Sequence, residues 1–305
     1  MTLTPFKAAS RLALVAASAL VLTAAAGSTS LAADFGPLMK YVPSDATVII
    51  ALDLQEMGKS SLFKTMRDDV LGKNSKKVKD LAKATGFDAK KDVHQIVLAG
   101  TDKMLRSGKL ILIARGNFDA QKFLDYGVKA NKPLKAMGPP GKVWYAVDQI
   151  GALAFDGNIA VASPKKLMDG LLATQSGPSG TMNKLIQKFA SHKAGFAVMR
   201  PSGKTKKQGA EFVDALGELT GAGIGINLGS GLDLSIVADF ASAASATSFA
   251  AMITETVGGA AEDAKELGLE NALTNLKAAA AGTATTISLA LTEAEVKNAV
   301  ELVNE

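Results

Sequence analysis

Short apolar runs rich in β-branched residues occur at 46–54, 93–101 and 109–116, each bounded by polar or glycine-containing segments, and they predict three strands. Helical spacing lies between them. Leu62, Phe63, Met66 and Val70 share one face, and Val78 and Leu81 continue it past a weak point at Gly72. Asn117 is placed to cap a following helix whose buried side holds Phe123, Leu124 and Val128. After a Pro/Gly break at 137–141, strands are predicted at 143–147 and 149–155. Asp156-Gly157-Asn158 then makes a tight turn into a strand at 159–162. Ser163 and Pro164 read as cap and first turn of a helix carrying Leu167, Leu171 and Leu172.

A Gly/Ser/Pro segment at 176–180 precedes a second series. It predicts a strand at 195–200, a helix at 211–219, strands at 223–228 and 232–240, and a helix at 241–257. That helix buries Phe249, Met252, Ile253 and Val257. A further helix is expected at 262–281 and a strand at 285–291. Thr292 caps a last helix, with Glu293 and Glu295 in its first turn, where the helix dipole favours negative charge.

The two series look like one unit used twice. The run 159–164 (IAVASP) parallels 287–292 (ISLALT), each leading into a helix, and 109–118 (KLILIARGNF) parallels 231–240 (GLDLSIVADF). Each half has the order β-α-β-β-α-β plus a trailing helix, so the expected fold class is α+β: two ferredoxin-like repeats with antiparallel sheets, preceded by a signal peptide. The expected division is 1–32 leader, 33–176 first repeat and 177–305 second repeat.

Two short motifs carry a resemblance. Pro43-Ser44-Asp45-Ala46-Thr47-Val48 and, later, Arg115-Gly116-Asn117-Phe118-Asp119 make the chain resemble exported bacterial proteins with a duplicated α+β unit. That resemblance implies a fold and a location and brings no activity with it.

Composition narrows the classes of function. Cysteine is absent, which removes disulfides, thiolate zinc sites, thiol nucleophiles and lipid attachment at a cysteine. The only histidines are His94 and His192, so a multi-histidine metal centre is not expected. Lys7 and Arg11 precede an uncharged apolar stretch at 12–27, and Ser30-Leu31-Ala32 offers small residues for cleavage after Ala32, with Ala24-Ala25-Ala26 as a second cut. The stretch is shorter than the ~20 residues that span a bilayer. The late uncharged run 278–292 is shorter still. The expected location is periplasmic or extracellular, where ATP and NAD(P)H are scarce, with no membrane span after cleavage. An uncleaved leader tethering the protein to the membrane is the alternative.

Charge is the most unusual feature. The chain is +5 overall. Residues 33–208 hold 29 Lys+Arg against 15 Asp+Glu, whereas 209–305 hold 3 against 14. Lys73, Lys76, Lys77, Lys79, Lys83, Lys90 and Lys91 form the main basic cluster and are the candidate binding residues; Lys204, Lys206 and Lys207 form a smaller one. Lys76, Lys79 and Lys83 have spacing that puts them on one helical face. Such a face suits an anionic envelope polymer, anionic lipid headgroups or an acidic protein. Lysine is a point charge without arginine's fork, and no aromatics interleave with the cluster, so specific nucleic-acid reading is not expected.

Catalytic motifs fail on spacing. Gly203-Lys204-Thr205 lacks the earlier glycine of a phosphate-binding loop, since Val198 stands there. Gly221-Ala222-Gly223-Ile224-Gly225 has the wrong spacing for a dinucleotide fingerprint and reads as close packing at a strand. Gly177-Pro178-Ser179-Gly180 is followed by Thr181, not the glycine of a nucleophile elbow. Adjacent Asp68 and Asp69 on a helix point about 100° apart and make no acid/base dyad. The expectation is a non-enzymatic binding or structural protein of the bacterial envelope, with no catalytic residue, cofactor or metal. An enzyme or enzyme inhibitor without a recognisable motif is the alternative.

Overall fold

A computed structural model describes residues 35–61, 63, 83, 85–129, 134–139, 141–147, 151–203, 205–206, 214–259, 264–265, 270–296 and 298. The protein is α+β, its paired strands antiparallel, and it divides into two compact units after Gln187. That division lies one short helix beyond the Gly/Ser/Pro segment.

The first unit begins with α1 (Gly36–Met39), β1 (Val48–Asp53) and α2 (Leu54–Met57), then α3 (Ala89–Asp92), β2 (Val93–Gly100), α4 (Asp102–Arg106) and β3 (Ile111–Gly116). It continues with α5 (Ala120–Lys129), β4 (Lys135–Met137), β5 (Trp144–Ala146), β6 (Gly151–Asp156), β7 (Ile159–Pro164), α6 (Lys165–Thr174) and α7 (Gly180–Gln187). Its strands lie in the order β1-β2-β3-β7-β6-β5-β4, each pair antiparallel. The alternation expected of half-buried strands is plain in β7, where Ile159, Val161 and Ser163 are buried and their neighbours half-exposed.

The second unit holds β8 (Gly195–Met199), a 3-10 turn (Asp214–Glu218), β9 (Leu219–Leu228), β10 (Gly231–Phe240), α8 (Ala243–Gly259), α9 (Glu270–Asn275), β11 (Lys277–Ala281) and β12 (Ala284–Thr292). Its order is β8-β9-β10-β12-β11, again antiparallel throughout. Strand for strand this matches β1-β2-β3-β7-β6 of the first unit. The registers match too. Ile113 pairs with Val97 on one side and Val161 on the other. Leu234 pairs likewise with Ile226 and Leu289. The parallel between 109–118 and 231–240 therefore holds with a one-residue shift: Ile111 and Ile113 take the buried places of Leu232 and Leu234.

This pairing differs from the ferredoxin-like order. There the first strand lies between the third and the fourth, and the second runs parallel to it one strand away, whereas β1 pairs directly and antiparallel with β2. Element order says which strands exist, not which edges meet. The 39 residues between Asp53 and Val93 are enough to reverse direction and return on the same edge.

Several local expectations change as well. Residues 277–281 form a strand, not the end of a helix, and 135–137 form a short strand. The expected helix at 211–219 is, in its described part, the 3-10 turn. Asp119, not Asn117, caps α5, its carboxylate accepting from Lys122 N at 3.2 Å. Ser163 and Pro164 end β7, and α6 starts without a side-chain cap. The Thr292 cap holds: Glu295 N donates to Thr292 Oγ1 at 3.3 Å, and the Glu295 carboxylate accepts from Thr292 N at 2.9 Å. Its other oxygen accepts from Ala272 N at 2.8 Å, so one buried glutamate serves two segments. The predicted helix through Met66 to Leu81 lies outside the described residues.

Candidate functional site

In the first unit, the chain leaving β3 and the β6–β7 turn build a cleft. Gly116 sits so close to the backbone that a Cβ there would come within 1.9 Å of the Asp92 carbonyl oxygen, so only glycine fits. The backbone is pinned on both sides: Gly116 N donates to Asn158 O at 2.9 Å and Asn117 N to Asp92 O at 2.8 Å. Gly157 takes a left-handed φ of +58°, which closes the β6–β7 hairpin in two residues. Between these segments lies an open cleft of about 360 Å³ lined by Asn117, Phe118, Asp119 and Asn158 with the two glycines. A smaller one of about 170 Å³ adjoins it, sharing Asn117 and Asp119 and adding Phe87, Asp92, Lys122 and Phe123.

Four half-buried phenylalanines form a ring around this corner. Phe87 lies 5.8 Å from Phe118 and 5.2 Å from Phe123, and Phe155 lies 6.5 Å and 5.7 Å from the same two. Such contacts each add about 0.5–1.5 kcal/mol beyond burial and hold the wall rigid. The carboxylates are already committed. Asp119 accepts from Lys122 N and pairs with Lys122 Nζ at 3.3 Å. The Lys122 backbone N–H, first, and its ammonium hold the Asp119 carboxyl below the usual carboxylate range. Asp92 accepts from Asp88 N at 2.7 Å. Two acidic groups thus share a cleft, but Asp119 is kept ionised and is no proton donor near neutral pH.

A clasp fixes the turn that forms one wall. Tyr41, 1% exposed, donates its hydroxyl to the Asp156 carboxylate, and Lys40 Nζ pairs with the same oxygen at 3.1 Å. Lys40 Nζ also stands 4.8 Å above the Tyr41 ring. The Tyr41 hydrogen bond, then that of Lys40, lowers the Asp156 pKa, while burial above all raises that of Tyr41.

Of the candidate lysines, Lys83, Lys90 and Lys91 are exposed. Lys90 and Lys91 lie on α3, next to Asp92 of the smaller cleft. Lys91 also pairs with Asp88 at 3.5 Å. Lys73, Lys76, Lys77 and Lys79 lie outside the described residues, as do Asp68, Asp69, Lys204 and Lys207. Lys206 is half-buried. Divided at the structural boundary, residues 33–187 carry 23 Lys+Arg against 15 Asp+Glu, and 188–305 carry 9 against 14. The split survives but is smaller than the division at 208/209 gives.

The other motifs resolve into packing. Ser202 Oγ accepts from Thr205 N at 3.3 Å, the contact of a helix N-cap. Gly223 and Gly225 lie within β9 under Phe189 and His192; a Cβ at Gly225 would stand 2.6 Å from both rings. His192 is buried, its ring edge-on to Phe189 at 5.7 Å, and burial lowers its pKa. His94 is half-buried in β2. Among the described residues, no three His, Cys, Asp or Glu side chains converge as metal ligands, and no helix is long and apolar enough to cross a membrane.

Sequence reading found the motif 115–119 but missed what it meets. Phe87, Asp92 and Asn158 come from three other segments. The Asp156-Gly157-Asn158 turn was visible in the sequence; that it abuts Gly116 was not.

No protein-family profile and no curated protein sequence matches this chain. Two solved structures of TP0453 are similar in shape. Crystal form I has 10% identity and a TM-score of 0.46 over 88% of this chain and 98% of that one. Crystal form IV has 9% identity and a TM-score of 0.48 over 87% and 96%.

Proposed function

We propose that this is an exported, non-enzymatic binding protein of the bacterial cell envelope, built from a duplicated α+β unit. Its lysine-rich first unit contacts an anionic polymer or an acidic protein. The observation that carries this reading is the charge division, with Lys83, Lys90 and Lys91 exposed on the basic unit. Surface ion pairs within the protein contribute only about 0–1 kcal/mol each, so such segregation does little for folding. It does orient encounters with charged partners. The basic, apolar and small-residue order of 1–32 supports export with cleavage after Ala32. The common strand order and registers support duplication.

Retention on heparin tests the binding reading. The protein is expected to elute at higher salt than a neutral protein of its size, and elution alongside that control contradicts it. The N-terminal sequence of protein recovered from the envelope separates a cleaved leader from a tether. The enzymatic alternative draws on one observation, the sharing of the smaller cleft by Asp92 and Asp119. The prior commitment of both carboxylates to backbone N–H groups weighs against it.

A further inference from the structure

The common strand order exposes a difference at the outer edge of each unit. Beside β7 lies β6, and β5 covers its far side, pairing Trp144 with Ala154, Tyr145 with Leu153 and Ala146 with Ala152. Beside β12 lies β11, and among the described residues of the second unit no strand pairs with its far side. An uncovered edge is a template for another strand, and proteins usually guard it with shortness, charge, proline or a bulge. The outer strand of the first unit, β4, is guarded: it has three residues, an exposed Lys135, and Gly138-Pro139 just after it. β11 is Lys277 followed by four alanines, regular in register, with 279–281 exposed. From Ala278 to Thr292 the hairpin carries no charged side chain.

We propose that β11 pairs antiparallel with β11 of a second copy of this chain, about a two-fold axis at Ala279. The hairpin turn Gly282-Thr283 closes on the pair Ala281 and Ala284. Hydrogen-bonded and non-hydrogen-bonded pairs alternate along an antiparallel ladder, counted from that closing pair. The N–H and C=O groups of Ala278 and Ala280 therefore point away from β12. About the axis, Ala278 faces the partner's Ala280, and the two exchange both bonds, as do their symmetry mates.

Charge selects this partner and this direction. Lys277 faces the partner's Ala281, so the two lysines stand four residues apart along the strand, roughly 14 Å. That exceeds the ~8 Å screening length at physiological salt. Parallel pairing would set lysine beside lysine. The interface closes on itself, so it makes a dimer and not a filament. It is independent of the lysine cluster, which lies in the other unit.

The test is sedimentation velocity of the full chain as recovered after expression, from about 1 to 200 μM at physiological salt, with amide exchange read in parallel. The expected result is reversible dimerisation, with the Ala280 amide protected at high concentration and exposed on dilution. Ala280→Pro removes an outward N–H without touching the ladder to β12. By symmetry it deletes two backbone bonds per dimer, each worth about fivefold, so dissociation should strengthen roughly 30-fold. Ala280→Lys, which keeps the backbone intact, should also weaken the dimer and guards against a folding defect of the proline variant. A protein monomeric throughout the range overturns the proposal. So does a dimer that both variants leave unchanged, or an Ala280 amide protected at every dilution, which would mean that the same chain covers its own edge.

Discussion

The two units share a strand order and a central register yet use their surfaces differently. In the first, Ile96 occupies β2 at the place corresponding to Gly225 in β9, a strand that also holds Gly223. There the glycines open a slot that Phe189 and His192 fill. The first unit covers its outer edge with an extra hairpin, places a cleft at the end of β3, and carries exposed Lys90 and Lys91 on α3. Among the described residues, the second leaves that edge open. A strand order therefore specifies a core, while function is set by which faces and edges each unit leaves exposed.

The slot gives the largest contrast. Gly225→Val should cost roughly 3 kcal/mol in chemical denaturation, because the new side chain meets two buried rings with no space to yield. Ile96→Val at the corresponding place should cost about 1 kcal/mol or less. Equal losses would show that the slot is not specific to the second unit.

The helices that follow β3 and β10 should behave alike. Asp119 caps α5, and Ser242 Oγ accepts from Ser245 N at 3.2 Å to cap α8. Asp119→Ala and Ser242→Ala should each lower the melting temperature measurably. A loss confined to one of them would break the correspondence.

Acid should weaken the units in two separate windows. Burial lowers the His192 pKa from its ordinary 6.5, so the unfolded chain binds this proton more readily. Stability of the second unit is then lost as pH falls below about 6.5 toward the folded value. Asp156 is lowered from 3.8 by Tyr41 and Lys40, so its contribution is present above that value and lost below it. His192→Gln should flatten the upper window. Tyr41→Phe should flatten the lower one and cost about 0.5–1 kcal/mol near neutral pH, because Asp156 is half exposed. Stability measured against pH for each variant checks both.

The strands with β-branched periodicity were legible in the sequence; β4 and β11 were not. Lys277–Ala281 is four-fifths alanine, the strongest helix former, and only pairing with Ala284–Ser288 makes it a strand. Asn117 and Asp119 are both good caps, and which one serves depends on where Gly116 pins the chain. The cleft was half visible, since 115–119 and 156–158 stood out singly. Their meeting depends on β3 pairing with β7 across more than 40 residues, which local pattern does not record.

The smallest effect on stability accompanies the most direct test. Lys83→Glu, Lys90→Glu and Lys91→Glu together should change folding stability by less than about 1 kcal/mol, as exposed surface charges do. On heparin the same triple variant should elute at clearly lower salt than the wild type, which itself elutes above a neutral control. Coelution of wild type, triple variant and control would contradict the account of a basic unit built to meet an anionic partner.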